Sequence, residues 1–343
     1  MLVQDAMERI LGAVRWRGSR EIRERGVEKM TRLVDQPALA GEPARGQARE
    51  RRSLLPSLVR ALRPRQWVKN SVIFAALVFS HSLTDPAQLN RSLAAFALFC
   101  TVSSAVYLLN DILDLENDRA HPTKSKRPIA AGDVPAGLAG LLAAALAFGA
   151  LALSWRLSPP FAAMALLYLV MNVLYSLWLK RVVIVDVMII SSGFVIRAVA
   201  GGLVIGVEVS AWLILCTIFL SLFLGFTKRR QELAQLEAQA VVHRAILKEY
   251  SIAFLDQMIS IVTAATLVAY FLYTLAPETR ARLGTPYLPL TIPFVLYGIF
   301  RYLYLVHQRN MGENPTGALY ADRPLQFDVM LWAATAVAIL YLR

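Results

Sequence analysis

The nine residues NDILDLEND, 110–118, place Asn110, Asp111, Asp114 and Asp118 close together in the chain. On a continuous helix Asn110, Asp114 and Asp118 stack on one face, and Asp111 stands beside that stripe. Glu116, rotated about 200° from Asp114, points away. Three carboxylates within two turns repel one another, and at a membrane boundary something cationic must offset them. Hard oxygen ligands of this kind suit magnesium, which keeps several waters and bridges to phosphates. A single acid at a helix end would need only a neighbouring Lys or Arg. Here Lys124, Lys126 and Arg127 follow within ten residues of three acids. The pattern predicts a Mg²⁺ and phosphate site, with Asp111, Asp114 and Asp118 as catalytic and metal-holding residues and Asn110 as a further ligand.

The elements that must carry these residues are membrane helices. Of 343 residues, 57% are hydrophobic and 17% charged, and the mean hydropathy is +0.49. Apolar windows recur at about 71–80, 92–109, 137–153, 160–178, 182–206, 211–226, 252–276, 287–306 and 325–342, most of them near the ~20 residues that cross ~30 Å of hydrocarbon. The first is short and spans only if it starts near Trp67, an expected interface anchor. The windows lack the alternation of a barrel, so the chain reads as an all-α membrane protein, a bundle of about nine transmembrane helices. With the amino terminus inside, thirteen Lys and Arg fall in inner connections against five outside. That asymmetry predicts an integral inner-membrane protein with its amino terminus and charged mouth facing the cytoplasm. The formal charge of +12 is then largely a topology signal, and no soluble basic domain suggests nucleic acid as a partner.

Two domains are expected. Residues 1–60 hold 13 Lys/Arg and 8 Asp/Glu and read as a charged cytoplasmic arm, partly helical or disordered, without the apolar core of a signal peptide. Residues 61–343 form the transmembrane catalytic domain. Cys100 and Cys216 both lie in apolar runs and suit packing rather than a disulfide or a metal. The histidines, His81, His121, His243 and His307, form no recognisable pair with a nucleophile. Arg197 lies eleven residues past Asp186, about 16 Å along a helix axis, where a charge must face the interior or find a partner. Gly201 and Gly202 suit close helix packing. Tyr175 could donate to a phosphate oxygen or belong to an aromatic belt.

NDILDLEND resembles the NDxxDxxxD signature of the UbiA superfamily of intramembrane prenyltransferases. The resemblance runs from about residue 60 to the carboxyl terminus and includes RPRQWVKN (63–70), HPTKSKRPIAAG (121–132), LYSLWLK (174–180), DVMIISSGFVIRAVAGG (186–202), TKRRQEL (227–233) and DRPLQFD (322–328). It implies a nine-helix bundle whose motif holds Mg²⁺ on a diphosphate. Together these stretches look closest to the branch of decaprenyl-phosphate phosphoribosyltransferases. The typical member has a second motif, DxxxD. Here the equivalent is DVMII, with Asp186 present and Ile190 in place of the second acid. That departure is compatible with a different diphosphate donor, held partly by cations.

On this resemblance the chain transfers a 5-phosphoribosyl group from phosphoribosyl diphosphate to a polyprenyl (decaprenyl) phosphate, releases pyrophosphate and feeds cell-wall arabinan precursors. Its substrate-binding residues are expected to be Asn110, Arg65, Lys69, Lys126, Arg127, Tyr175, Lys180, Asp186, Arg197, Lys228 and Arg229. Arginine suits bidentate phosphate contacts and lysine a point charge. Two other readings stay open: a UbiA-type prenyltransferase moving an isoprenoid from its diphosphate to an aromatic or glycerol-phosphate acceptor, and a membrane transporter without enzymatic activity.

Overall fold

The computed structural model describes residues 53–121, 123–239, 249–309 and 315–342. Most of the predicted arm, together with Arg244, Lys248 and His243, lies outside these residues. The described end of the arm forms α1 (Leu54–Ala61), whose Ala61 and Leu58 pack toward Leu108.

Among the described residues, eight helices are long and apolar enough to cross a membrane. In chain order they are α3 (Pro86–Leu113), α5 (Ala136–Leu157), α6 (Pro159–Leu177), α7 (Val185–Ile205), α8 (Ala211–Gln239), α9 (Ile252–Leu275), α11 (Ile292–Arg309) and α13 (Arg323–Tyr341). Short helices α4 (Leu115–Ala120), α10 (Pro277–Leu283) and α12 (Pro315–Ala321) lie between them. The expected first span takes a different form: a 3₁₀ segment, Pro64–Ile73, continues into α2, Phe74–Phe79. A 3₁₀ helix rises ~2.0 Å per residue, so these segments together reach about 29 Å, enough for a ninth crossing. Within it the Trp67 indole nitrogen donates to Ser104 of α3 at 3.0 Å.

Side-chain caps set the long helices. Asp85 accepts from the Ala87 backbone N–H at 2.8 Å ahead of α3, Ser251 from Phe254 at 3.1 Å ahead of α9, and Asp322 from Leu325 at 2.9 Å ahead of α13. Each satisfies a donor that the first helical turn leaves unpaired. At the far end of α7, Gly206 takes φ +70°, a conformation glycine adopts without strain.

Successive helices pack on one another from α5 to α9, and α3 also packs against α5 and α6. α7 touches α3, α6, α8 and the 3₁₀ segment, which places it centrally. In α3 and α7, 56% of the apolar window is buried, against 17–33% in the other six. The two innermost helices are therefore those that carry the acidic motif and Asp186. Gly201 allows the first segment to lie against α7: a Cβ there would stand 2.1 Å from the Ile73 carbonyl oxygen.

Candidate active site

The acidic motif does not continue α3. The helix ends at Leu113, Asp114 leaves helical geometry at φ −98° and ψ 9°, and α4 starts afresh at Leu115. The single four-residue stripe expected from spacing is thus broken at its middle carboxylate. Asp114 accepts from Lys180 Nζ at 2.6 Å, and the break turns it toward that cation. Asp111 and Asp118 are buried and joined through Arg127, whose Nη1 donates to Asp118 Oδ2 at 2.5 Å and to Asp111 Oδ1 at 3.1 Å. Glu116 is exposed, as its rotation predicts.

Arg63 also donates to Asp111 Oδ1, at 2.5 Å. It stands at φ +55°, a left-handed conformation that non-glycine residues seldom adopt. The strain sits next to Pro64 and aims the guanidinium over the motif, with the Tyr107 ring 5.1 Å from its Cζ. The Asp111 Oδ2 atom is buried without any hydrogen-bond partner. A buried carboxylate oxygen left bare is costly unless a cation or donor completes it. Arg63 and Arg127, which cover the motif, are 27% and 29% exposed. Among the described residues no three acids converge on one point as a metal cage: Arg127 stands between Asp111 and Asp118, and Lys180 holds Asp114. The donor set of three carboxylates and one bare oxygen suits a hard divalent ion once these solvent-reaching cations turn away. Asn110 Oδ1 accepts from Ser176.

Asp186, at the start of α7, has a different environment. It is fully buried; Oδ2 accepts from Arg229 Nε at 2.6 Å and Oδ1 from the Tyr250 hydroxyl at 2.8 Å. Arg229 is itself buried and extends its other nitrogens to Glu232 at 2.5 Å and to the Tyr175 hydroxyl at 3.2 Å. Tyr250 also accepts from the backbone N–H of Ile184, which is held at φ +68°. Burial raises the Tyr250 hydroxyl well above its usual range, and the Asp186 carboxylate adds to the rise. The phenol therefore stays protonated and donates to Asp186.

The remaining predicted residues divide between these two regions. Arg197 is buried among neutral groups: it donates to Asn70 Oδ1 at 2.7 Å, the Gly193 carbonyl at 2.8 Å and the Tyr168 hydroxyl at 2.8 Å. As placed, it braces the first segment against α6 and α7. Lys69 makes no ion pair among the described residues, and the charges around it are Lys228, Arg197 and Arg63. Lys228 lies 3.8 Å from Glu232. Arg65 and Lys126 are exposed and make no ion pair among the described residues. His121 Nδ1 accepts the backbone N–H groups of Thr123 and Lys124, a loop role. Arg63, Asn70, Glu232 and Tyr250 were missed by sequence reasoning. The RPRQWVKN and TKRRQEL stretches contain three of them, whereas Tyr250 carries no local signal.

Apart from Arg197 and its partners Asn70, Tyr168 and Gly193, these groups gather at one end of the bundle: the carboxyl ends of α3, α6 and α8 and the amino end of α7. The sequence profile described as the UbiA prenyltransferase family matches residues 71–320. Decaprenyl-phosphate phosphoribosyltransferase of Mycolicibacterium smegmatis is 36% identical over 311 residues, covering 88% of this chain and 97% of that protein. Its namesake from Mycobacterium tuberculosis is 37% identical over 290 residues, 83% and 95% respectively. A UbiA homologue from Archaeoglobus fulgidus, solved bound to DMAPP and Mg²⁺, superposes with a TM-score of 0.63 at 18% identity, covering 84% of this chain and all of that one. Its GPP- and Mg²⁺-bound form gives 0.63 at 18%, covering 83% and 99%. At that identity the structural likeness speaks to the fold.

Proposed function

The chain belongs to the UbiA prenyltransferase family, and on that premise we propose that it transfers a 5-phosphoribosyl group from phosphoribosyl diphosphate to a polyprenyl phosphate. The lipid is decaprenyl phosphate if the chain shares the acceptor in its relatives' names, and the product would feed cell-wall arabinan synthesis. The observation that carries the reading is the paired mouth: a carboxylate cluster with a bare oxygen at Asp111 beside the cations Arg63, Arg127 and Lys180.

The C1–O bond to pyrophosphate breaks, with its electron pair leaving on the pyrophosphate oxygen, and an oxygen of the lipid phosphate forms the new C1–O bond. Asp111, Asp114 and Asp118, with Asn110, would hold a Mg²⁺ ion, which when bound would supply charge neutralisation for the departing pyrophosphate. Arg127, Arg63 and Lys180, now on the carboxylates, exchange onto phosphoryl oxygens as these arrive, with Lys126 and Arg65 joining from the exposed rim. Tyr175 accepts from Arg229, so its own O–H remains to be donated toward a phosphate. Lys69, which makes no ion pair among the described residues, is left to meet a further phosphate. A phosphate monoester is anionic at neutral pH, so the acceptor needs no general base, and the histidines are correspondingly idle. Burial between helices limits water at the activated sugar. The excess of Lys and Arg at this end supports a cytoplasmic mouth in the plasma membrane, an inside amino terminus, a soluble donor entering from the cytoplasm and an acceptor tail lying in lipid.

The test is direct. Purified full-length chain in detergent, given Mg²⁺, labelled phosphoribosyl diphosphate and polyprenyl phosphate, should move label into the lipid phase. Transfer only from a prenyl diphosphate would replace this reading with prenyl transfer.

A further inference from the structure

The mouth offers carboxylates in two places: the acidic motif of α3 and α4, and the pair Asp186 and Glu232 where α7 meets α8. We infer that a divalent ion binds in the first place alone, and that the buried Arg229 guanidinium supplies in the second the positive charge a second ion would bring. The inference rests on the metal reading of the acidic motif given above and concerns how many ions that reaction uses.

A metal site needs oxygen lone pairs that are negatively charged and not already committed. Both Asp186 oxygens are already engaged by a donor. One oxygen takes Arg229 Nε at 2.6 Å, the other takes the Tyr250 hydroxyl at 2.8 Å, and the side chain is fully excluded from solvent. Glu232 already faces two cations, Arg229 at 2.5 Å and Lys228 at 3.8 Å. Ile190, one helical turn beyond Asp186, adds no ligand. Among the described residues two acids thus meet two cations, which leaves little net negative charge to attract a divalent ion. An entering ion would have to displace Arg229, leaving a guanidinium 1% exposed without its counter-charge.

The first place has a similar charge balance, three acids against Arg63, Arg127 and Lys180, and differs in access. Asp111 Oδ2 is buried and bare, and Arg63 and Arg127 are more than a quarter exposed, so they can swing toward solvent. Three acids stand there, and their cations approach from outside. A guanidinium fixed in the interior neither dissociates nor titrates in the physiological range. Its charge is present whether or not divalent ions are available.

The experiment counts ions rather than turnover. Full-length chain in detergent is equilibrated with Mn²⁺ and methylene diphosphonate, a pyrophosphate analogue that cannot be cleaved. Protein-bound Mn²⁺ is measured by equilibrium dialysis, and its spectrum by electron paramagnetic resonance. The expected result is one ion per chain with the six-line pattern of an isolated Mn²⁺, lost in Asp111→Asn and kept in Asp186→Asn. Because Asp186→Asn alone leaves Arg229 unpaired, the double variant Asp186→Leu/Arg229→Met removes both charges and should also keep one ion. Two ions per chain in the wild type, or a spin-coupled pair, overturns the inference while leaving the proposed reaction intact. No bound ion at all overturns the metal reading beneath it. The wild-type count alone decides, even if neither Asp186 variant folds.

Discussion

The acidic motif and the Asp186–Arg229 region lie at the same end of the bundle, and both pair carboxylates with cations, yet they are built for opposite purposes. Around Asp111 the cations come from connections and reach solvent, and one carboxylate oxygen has no partner. Around Asp186 the cation comes from a transmembrane helix, both partners are fully buried, and each carboxylate oxygen is occupied. An ion pair that can open serves an incoming ligand; one that cannot open fixes two helices. The difference shows why charge alone does not identify a site: what matters is which pairs a ligand could exchange.

The sharpest way to break this comparison is to neutralise one acid of the open region. Asp111→Asn should lower turnover by at least 10³-fold while the thermal unfolding profile stays near wild type, since removing a metal-held carboxylate takes away several kcal/mol of transition-state stabilisation. Near-normal activity would sink the metal assignment. On the closed side, Arg229→Met should destabilise the fold by ~3–5 kcal/mol, the cost of leaving one partner of a buried pair alone. Arg127→Met, at 29% exposure, should change stability far less and raise KM for the donor. Equal losses of stability in the two variants would erase the distinction. A smaller change separates the two functions within the closed side. Tyr250→Phe removes one donor to Asp186 and should cost about 1–3 kcal/mol in a denaturation series without changing bound Mn²⁺.

The smallest effect is expected outside both regions. Asp322 caps α13 and takes both guanidinium nitrogens of Arg301, at 3.1 and 2.8 Å, and that hydrogen bonding depresses its carboxyl below the ordinary range. A depressed carboxylate contributes stability that is present above the ordinary carboxylate pKa and lost as pH falls through its lowered value. Asp322→Ala should therefore cost about 1 kcal/mol at neutral pH and nothing in strong acid, as read from unfolding at both pH values.

Much of this organisation was legible before any coordinates. Eight crossings follow from hydropathy because long apolar runs have few alternatives in a bilayer. The acidic motif was legible because its residue types and spacing are local. The break at Asp114 was not, since it depends on Lys180, 66 residues away. Arg63 gave no sign of its role because its partner lies 48 residues on and its backbone takes an unfavoured conformation. Arg197 was read as needing interior partners, but Asn70, 127 residues distant, could not be named from one sequence. The first window was read as an α-helix, and its 3₁₀ form was not legible because apolar content alone does not separate the two.

The central claim is that the acidic motif, through a divalent ion, holds the leaving pyrophosphate. Calorimetric titration of inorganic pyrophosphate into the full-length chain, with and without Mg²⁺, tests it most directly. The account predicts binding that requires Mg²⁺ and disappears in Asp111→Asn. Pyrophosphate binding of equal strength without Mg²⁺, or undiminished in Asp111→Asn, would contradict it.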